Sequence, residues 1–481
     1  MHHQEKGLPH HARKNYVDDV AHYEIWRHMS PDEAVHWLYV QHVISLPKHM
    51  QAPRSRWTVE NMPRAYLNMK KKCYDDTGLI CKKAHAHVRE IIASPGFPLK
   101  RQLQTMSRAF QTLIESSRQT HWELWSMRDA TPTLQKIYED LVQGGMQVDT
   151  CMQCGNAKER TCAVKADISQ LFKDVEPSSV MMHAADFVQR GDKGGLATGV
   201  SVIKHMACRG HVGGNHHSGA TRRYMSTVDM LHTLEFYVTH GIFLMGTAVI
   251  KQKRGVPMGG AGSKAASSIL LAGSEATFHR KQAKVHVRSS SIWKRMFQRH
   301  TRGCRYVDDV LVISVGLCTC CIKKTMLMIY EKPLVVDFEE EGREIQFLDM
   351  DLVLTDTAIH ITPQKTNKKA VLEGGVHEKC SLPQFEKRNK HCDEQLRQWF
   401  LAKLWRATQI TEDMQVIKDN AVWAVREAMS FGYTPGHVRE ILSTLKHVPG
   451  ARTAISSTRA SNGNIIHSDD ARLSIPTRTF H

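Results

Sequence analysis

The 481-residue sequence contains no run approaching 18 consecutive apolar residues, so a membrane-crossing helix is not expected. It opens without an apolar stretch of signal-peptide type, and its twelve cysteines are scattered without the spacing of a disulfide framework. Those absences lead us to expect a reduced, soluble, intracellular chain. Acidic side chains are in deficit: 48 Asp and Glu face 65 Lys and Arg. The formal charge of +17 suits a polyanionic partner, because each cation paired with a phosphate releases counterions. A basic protein that binds nucleic acid without specificity has the same balance, so charge leaves both readings open.

What is present centres on Arg305-Tyr306-Val307-Asp308-Asp309-Val310-Leu311-Val312-Ile313-Ser314. Two adjacent carboxylates precede a β-branched run that reads as a buried strand, which puts them at the tip of a hairpin. Carboxylates on a rigid hairpin suit Mg²⁺, which takes one or two of them plus substrate phosphates. The pentapeptide also occurs at Tyr16-Val17-Asp18-Asp19-Val20, followed by Ala21-His22-Tyr23-Glu24-Ile25-Trp26. That polar context predicts a solvated helix start and no metal site.

Ser30-Pro31-Asp32-Glu33 predicts a capped helix, with Val35, Leu38, Tyr39 and Val43 on one apolar face. Leu79–Lys83 and Val88–Ile92 are strand-like, and the linker Ala84-His85-Ala86-His87 suggests that they pair as a hairpin. Lys82, Lys83 and Arg89 on it could hold a triphosphate, or could simply be a solvated basic edge. Residues 101–143 look helical, with Leu103, Met106, Phe110, Leu113 and Ile114 as core. Cys151-Met152-Gln153-Cys154 and nearby Cys162 hint at zinc, but three cysteines fall short of a closed four-ligand site, so free thiols are expected. A short strand ends at Asp167. Residues 190–222, rich in Gly and His and containing His216-His217, read as a loop insertion, and 226–250 as helix. Gly255-Val256-Pro257-Met258-Gly259-Gly260 is a Gly/Pro turn opening a small-residue helix, a place where backbone can approach a ligand. An extended run, an acidic turn at Glu339-Glu340-Glu341-Gly342, and a strand over 345–354 follow. Residues 393–446 are predicted helical, with Leu396, Phe400, Leu404 and Trp423 as core. The Ser/Thr/Arg-rich tail from Pro449 is expected to be disordered.

The strand-end Asp, the Gly-x-Pro-Met-Gly turn, Tyr-Val-Asp-Asp and Phe-Leu-Asp occur in the order found in reverse transcriptases. The chain most resembles the Penelope-like retroelement family. Asp167-Ile168-Ser169-Gln170-Leu171-Phe172 with Val175-Glu176-Pro177 is similar to that family's D-V-x-S-L-Y-T-N-I-P. Gln252-x-x-Gly255-x-Pro257-Met258-Gly259 resembles Q-x-x-G-x-P-M-G-S-P, with Glu275 matching the glutamate that ends the next helix. Arg305 to Asp309 matches R-Y-V-D-D, and Phe347-Leu348-Asp349 matches F-L-D. Tyr66 to Lys72 resembles Y-x-L-P-K-x-H-K, and Arg89 to Ser94 resembles R-P-I-V-S. Gly260 to Lys264 departs from S-P-L-S-P, Glu90 stands for a proline, and Phe172 for Tyr.

The resemblance, covering residues 60–445, implies an α+β right-hand polymerase. Its parts would be an N-terminal helical extension (1–58), fingers (59–165), a palm with an antiparallel sheet (166–355, carrying the 190–222 insertion), a helical thumb (356–447) and a disordered tail (448–481). It implies RNA-directed DNA synthesis on an RNA template, extending a DNA primer with dNTPs, in the nucleus. Catalysis would fall to Asp167, Asp308 and Asp309. Two Mg²⁺ ions, or Mn²⁺ in their place, would be held by these three residues with Ile168. Phe172 would be the steric gate against ribose. Lys82, Lys83 and Arg89 would grip the triphosphate, and Gln252, Pro257, Met258 and Gly259 would frame the nucleotide. Phe347, Leu348 and Asp349 would position the primer end. No counterpart of the endonuclease domain of many relatives is expected. A palm kept as a non-catalytic nucleic-acid-binding scaffold, and an RNA-dependent RNA polymerase, are the alternatives.

Overall fold

The computed structural model describes residues 19–69, 88–117, 121–144, 148–190, 198–203, 210–213, 221–284, 299–373 and 390–460. They form two compact units: residues up to 348 with 352–360, and residues 349–351 with 361–460. The first mixes helices with largely antiparallel sheets and the second is largely helical, so the class is α+β. Among the described residues, no helix is long and apolar enough to cross a membrane.

Strand β1 (Tyr23–Ile25) stands where the polar context predicted a helix. Tyr23 is buried, and its ring packs edge-on against Phe243 at 5.9 Å, so tertiary packing overrides local preference. Helix α1 (Pro31–Ser45) has the predicted capping box: Ser30 Oγ accepts from the Glu33 amide (3.3 Å) and Glu33 accepts from the Ser30 amide (2.7 Å). Val35 and Leu38 are buried but Val43 is exposed. His42 turns inward beside them and accepts the Ala52 amide at 2.9 Å, a role that apolar spacing does not reveal.

Strands β2 (Arg64–Met69) and β3 (Val88–Ala93) pair antiparallel. The predicted strand at 88–92 is correct, but its partner is β2; residues 79–83 lie outside the described residues. Helices α2 (Lys100–Ser116) and α3 (Ala130–Gly144) replace the continuous helix expected over 101–143, and residues 121–125 between them carry Glu123. All five predicted core residues of α2 are buried.

Strand β4 (Cys162–Ser169) is followed by the short α4 (Leu171–Asp174) and by α5 (Pro177–Arg190). The Gly/His-rich segment is partly sheet, not all loop. In it β5 (Gly199–Ile203), β6 (Gly210–Val212) and β7 (Arg222–Ser226) pair in the order β6-β5-β7, because Val200, Val202 and Val212 have a core to enter. His216 and His217 lie outside the described residues. Helix α6 (Thr227–Thr239) stops before Gly241. Strands β8 (Ile242–Met245) and β9 (Ala248–Gln252) then form a hairpin at Gly246, whose φ of 60° suits glycine, in place of helix to residue 250. A five-stranded sheet results, ordered β1-β9-β8-β2-β3.

Helix α7 (Ser263–Lys284), β10 (Thr301–Tyr306), β11 (Asp309–Ser314), α8 (Thr319–Ile329), β12 (Val335–Gly342) and β13 (Glu344–Phe347) complete the first unit's main run. Its central sheet has the order β10-β11-β4-β12, antiparallel throughout. The predicted acidic turn is a strand: Glu339 and Glu341 sit within β12 and pair with Lys165 (2.7 Å) and Lys323 (2.9 Å). Opposite charge, from Lys165 on the neighbouring strand and Lys323 on α8, explains how so acidic a run stays extended.

Through β14 (Met350–Leu354) and β15 (Ile359–Pro363) the chain passes to α9 (Lys368–Glu373), α10 (Lys390–Ile410), α11 (Met414–Ser430) and α12 (Pro435–Ser443). Leu396, Phe400 and Leu404 are buried there, as their spacing predicts. The tail is not disordered at its start. Helix α13 (Ala451–Ala460) buries Ala451 and Ala454 in the second unit's core, small residues that composition alone does not flag as core.

Candidate active site

The hairpin between β10 and β11 turns on two residues, Val307 and Asp308, since Tyr306 pairs with Asp309. Such turns favour positive φ at their first position and normally place Gly or Asn there. Here Val307 has a φ of 60°, which for a β-branched side chain costs on the order of 1–3 kcal/mol. The compensation comes from Arg305, whose Nη1 donates to the Val307 carbonyl at 2.9 Å.

Arg305 is fully buried, as are Glu123 and Glu275, the carboxylates that flank it at 2.5 and 2.6 Å. Tyr330 donates its hydroxyl to Glu275 (2.7 Å), the Trp122 amide donates to Glu275 (2.8 Å) and Ser268 donates to Glu123 (3.1 Å). The Arg305 backbone exchanges bonds of 2.6 Å with Trp122 and Leu124. Burial alone would lower the guanidinium pKa, but Glu123 and Glu275 reverse this and keep it charged. Burial pushes Glu123 up, against the pull of Arg305. The motif match had marked Arg305 and Glu275; nothing in the sequence marks Glu123.

From that base the carboxylates project at one strand end. In the β11–β4 ladder Asp309 stands opposite Asp167, and the Ile168 amide donates to the Asp308 carbonyl at 3.0 Å. Since Ile168 and Asp308 are bonded through their backbones, Asp167 and Asp309 form the neighbouring, non-hydrogen-bonded kind of pair. In such pairs the Cα atoms are about 4.5 Å apart and the side chains closest. All three aspartates are half-buried. On the other side of β4, Asp337 of β12 also stands opposite Asp167 and accepts a hydrogen bond from Ser169. Its place becomes legible only once β12 is known to pair with β4.

The glycine turn locks onto this region. The Val256 amide donates to Phe172 O (2.7 Å) and the Gly255 amide to Val175 O (3.0 Å). A Cβ on Gly255 would come within 2.3 Å of Phe172 O, and its φ is 83°. Met258 O accepts the Ile92 amide (2.7 Å), and Gly259, with a φ of 92°, lies against Ile91 and Ile92. Pro257 O accepts from Ser263 Oγ at 2.5 Å. Gly260 and Gly262, where the sequence departs from S-P-L-S-P, leave room for the Tyr237 ring. Gln252 is buried at the end of β9, opposite Tyr23. Phe172 is half-buried, packed at the margin of the main core.

Other candidates stand apart. Lys82 and Lys83 lie outside the described residues; Arg89 pairs through its backbone with Asn68, and its side chain is not among those described. Phe347 is fully buried, so its ring is not itself open to a ligand. Leu348, with a φ of 57°, begins the two-residue turn between β13 and β14, and Asp349 pairs with Arg406 inside the second unit. Of the first Tyr-Val-Asp-Asp copy, Asp18 lies outside the described residues. Asp19 bonds His22 (2.7 Å) and Lys173 (3.2 Å), and these bonds outweigh burial to hold its carboxyl below the usual range. Asp19 thus ties the N-terminal segment to α4.

No family model matches the sequence, and no curated protein matches it. Among solved structures, the chain is similar to telomerase from Candida albicans in complex with a TWJ fragment of telomeric RNA. Identity is 12%, over 82% of this chain and 66% of that one, with a TM-score of 0.42. Apo telomerase from Candida tropicalis gives 10%, 92%, 71% and 0.42. The BmCPV RNA-dependent RNA polymerase at elongation state gives 10%, 90%, 31% and 0.39. The chain thus spans about two thirds of the first of these and under a third of the last. These likenesses are distant, and the functional reading below rests on the chain's own residues.

Replacing Arg305 with Met strands two buried carboxylates and should cost about 3–5 kcal/mol in chemical denaturation. Adding Glu123→Gln and Glu275→Gln to Arg305→Met should recover part of that loss.

Proposed function

We propose that the chain is a nucleotidyl-transferring polymerase, and specifically an RNA-directed DNA polymerase related to Penelope-like reverse transcriptases. The observation that carries this reading is the cross-strand register of Asp309 with Asp167, beside the Asp308 turn. Like charges set directly opposite in a sheet destabilise it, and a bound cation removes that penalty. An oxygen-only set of carboxylates fits Mg²⁺, so Asp167, Asp308 and Asp309, with the Ile168 backbone, are the residues that would hold it. When bound, a pair of such ions supplies activation of a 3′-hydroxyl and stabilisation of the departing pyrophosphate.

The chain's own groups do the rest. Arg305, by bonding the Val307 carbonyl, fixes the turn that carries Asp308, so the carboxylates are preorganised before substrate arrives. Gly255 lets the nucleotide-framing turn sit on the Phe172–Val175 backbone, coupling the proposed sugar gate to Pro257, Met258 and Gly259. Phe172 in that position would exclude a ribose 2′-hydroxyl, which favours dNTPs over the RNA-polymerase alternative. The excess of cations suits a template–primer duplex, recognised by charge and A-form shape.

Primer extension on poly(rA)/oligo(dT) with dTTP against UTP tests the reading. Asp167→Asn or Asp309→Asn should lower metal-dependent extension about a thousandfold, equivalent to about 4 kcal/mol, with binding of the hybrid retained. A folded wild-type chain that binds the hybrid and never extends it would support the non-catalytic scaffold instead.

Phe172→Ala should raise the efficiency of UTP use relative to dTTP by at least about tenfold, the worth of about 1.4 kcal/mol of steric exclusion. An unchanged ratio in competitive steady-state assays would remove Phe172 from the gate.

A further inference from the structure

Cys154 and Cys318 are 164 positions apart, yet their sulfurs lie 3.7 Å from each other. Cys151 and Cys321 complete a group whose four Sγ atoms all lie within 4.8 Å of one another. Sulfurs bound tetrahedrally to one ion at 2.3 Å stand about 3.8 Å apart, so the cluster has the size of a mononuclear site. Among the described residues no other set of His, Cys, Asp and Glu is drawn together as a candidate of this kind.

Both halves have the spacing Cys-x-x-Cys: Cys151-Met152-Gln153-Cys154 and Cys318-Thr319-Cys320-Cys321. The first closes as a tight turn. Gly155 donates its amide to Cys151 O (2.8 Å) and takes a φ of 74°, which lets the chain reverse directly after the second cysteine. The second half opens α8, with Cys318 at the N-cap and its sulfur making no capping bond to the helix amides. The halves are also joined through the backbone: the Met152 amide donates to Gly316 O (3.0 Å), and the Cys318 amide donates to Cys151 Sγ (3.3 Å). An amide aimed at a ligand sulfur is the kind of outer support that thiolate metal sites use.

The neighbouring cysteines stand outside the group. Cys162, the third member of the zinc hint in the sequence, instead donates its thiol to Leu317 O at 3.0 Å. Cys320, between the two ligands of the second half, is exposed. The free-thiol expectation rested on three nearby cysteines, and the missing ligands come from the far side of the hairpin.

We propose that Cys151, Cys154, Cys318 and Cys321 form a structural site for one zinc ion. Four protein sulfurs leave no open position, which fits a structural and not a catalytic ion, and binding would release the thiol protons. The position gives the site a task. In the β11–β4 ladder Ser314 stands opposite Cys162 at one end and Asp309 opposite Asp167 at the other. Cys151 precedes β4 and Cys318 follows β11, so the ion would clamp the end of the strand pair remote from the carboxylates and hold its register.

The test is metal analysis of the full chain purified under reducing conditions, by plasma mass spectrometry. About one zinc per chain is expected, falling several-fold in Cys154→Ser and Cys321→Ser and unchanged in Cys320→Ser. If those two variants fail to fold, wild-type protein exchanged into Co²⁺ carries the test. It should show thiolate-to-metal charge transfer and the intense visible bands of tetrahedral coordination, and a chelator should lower the melting temperature of the zinc form. Zinc content near zero, iron in its place, disulfides joining these cysteines without metal, or equal loss in Cys320→Ser would each overturn the proposal.

Discussion

The buried Arg305–Glu123–Glu275 cluster is the constraint on which the centre of the first unit depends. A guanidinium removed from water is tolerable only if its charge is matched and its donors are used. Arg305 meets both conditions by drawing one carboxylate from the segment between α2 and α3 and another from α7. Its remaining reach goes to the Val307 carbonyl. One side chain thereby ties three distant stretches together and stabilises a turn that the local sequence disfavours.

The β4–β11 ladder translates that constraint into the placement of the carboxylates. Six register pairs run from Asp309–Asp167 to Ser314–Cys162. A slip of one residue would carry Asp309 to the opposite face of the sheet from Asp167, because side chains alternate. The hairpin turn fixes the register at the carboxylate end, and the four-cysteine cluster lies at the other. Between them the buried Val310, Leu311, Val312 and Ile313 supply adhesion but little to distinguish one register from another.

Much of this was legible in the sequence, for identifiable reasons. The β-branched run after Asp309, the capping box at Ser30 and the apolar spacing of α2 are local signals, and each corresponds to an observed element. The errors fell where distant partners decide. Tyr23–Ile25 is a strand because β9 offers an edge, and the glutamates of β12 stay extended because Lys165 and Lys323 face them. Glu123 and Asp337 carry no signal in their own neighbourhoods, and the Cys-x-x-Cys spacing of the second cysteine pair does not say that its partner pair begins 167 positions earlier. They acquire their places from pairings across as many as 182 residues. Spacing rules read along the chain and so cannot find them.

Val307 has a consequence for how the molecule is made. An isolated hairpin with valine in a left-handed conformation gains nothing from its turn, unlike one nucleated by Asn-Gly. Its support arrives from Glu275, Glu123 and Trp122, which stand 30 to 183 residues from Arg305 along the chain. Contacts of such long range form slowly, because loop closure precedes their reward. The carboxylate edge therefore belongs to the late, cooperative stage of folding. A nascent or partly opened chain would hold its aspartates unaligned, so alignment of the carboxylates and completion of the core become one event.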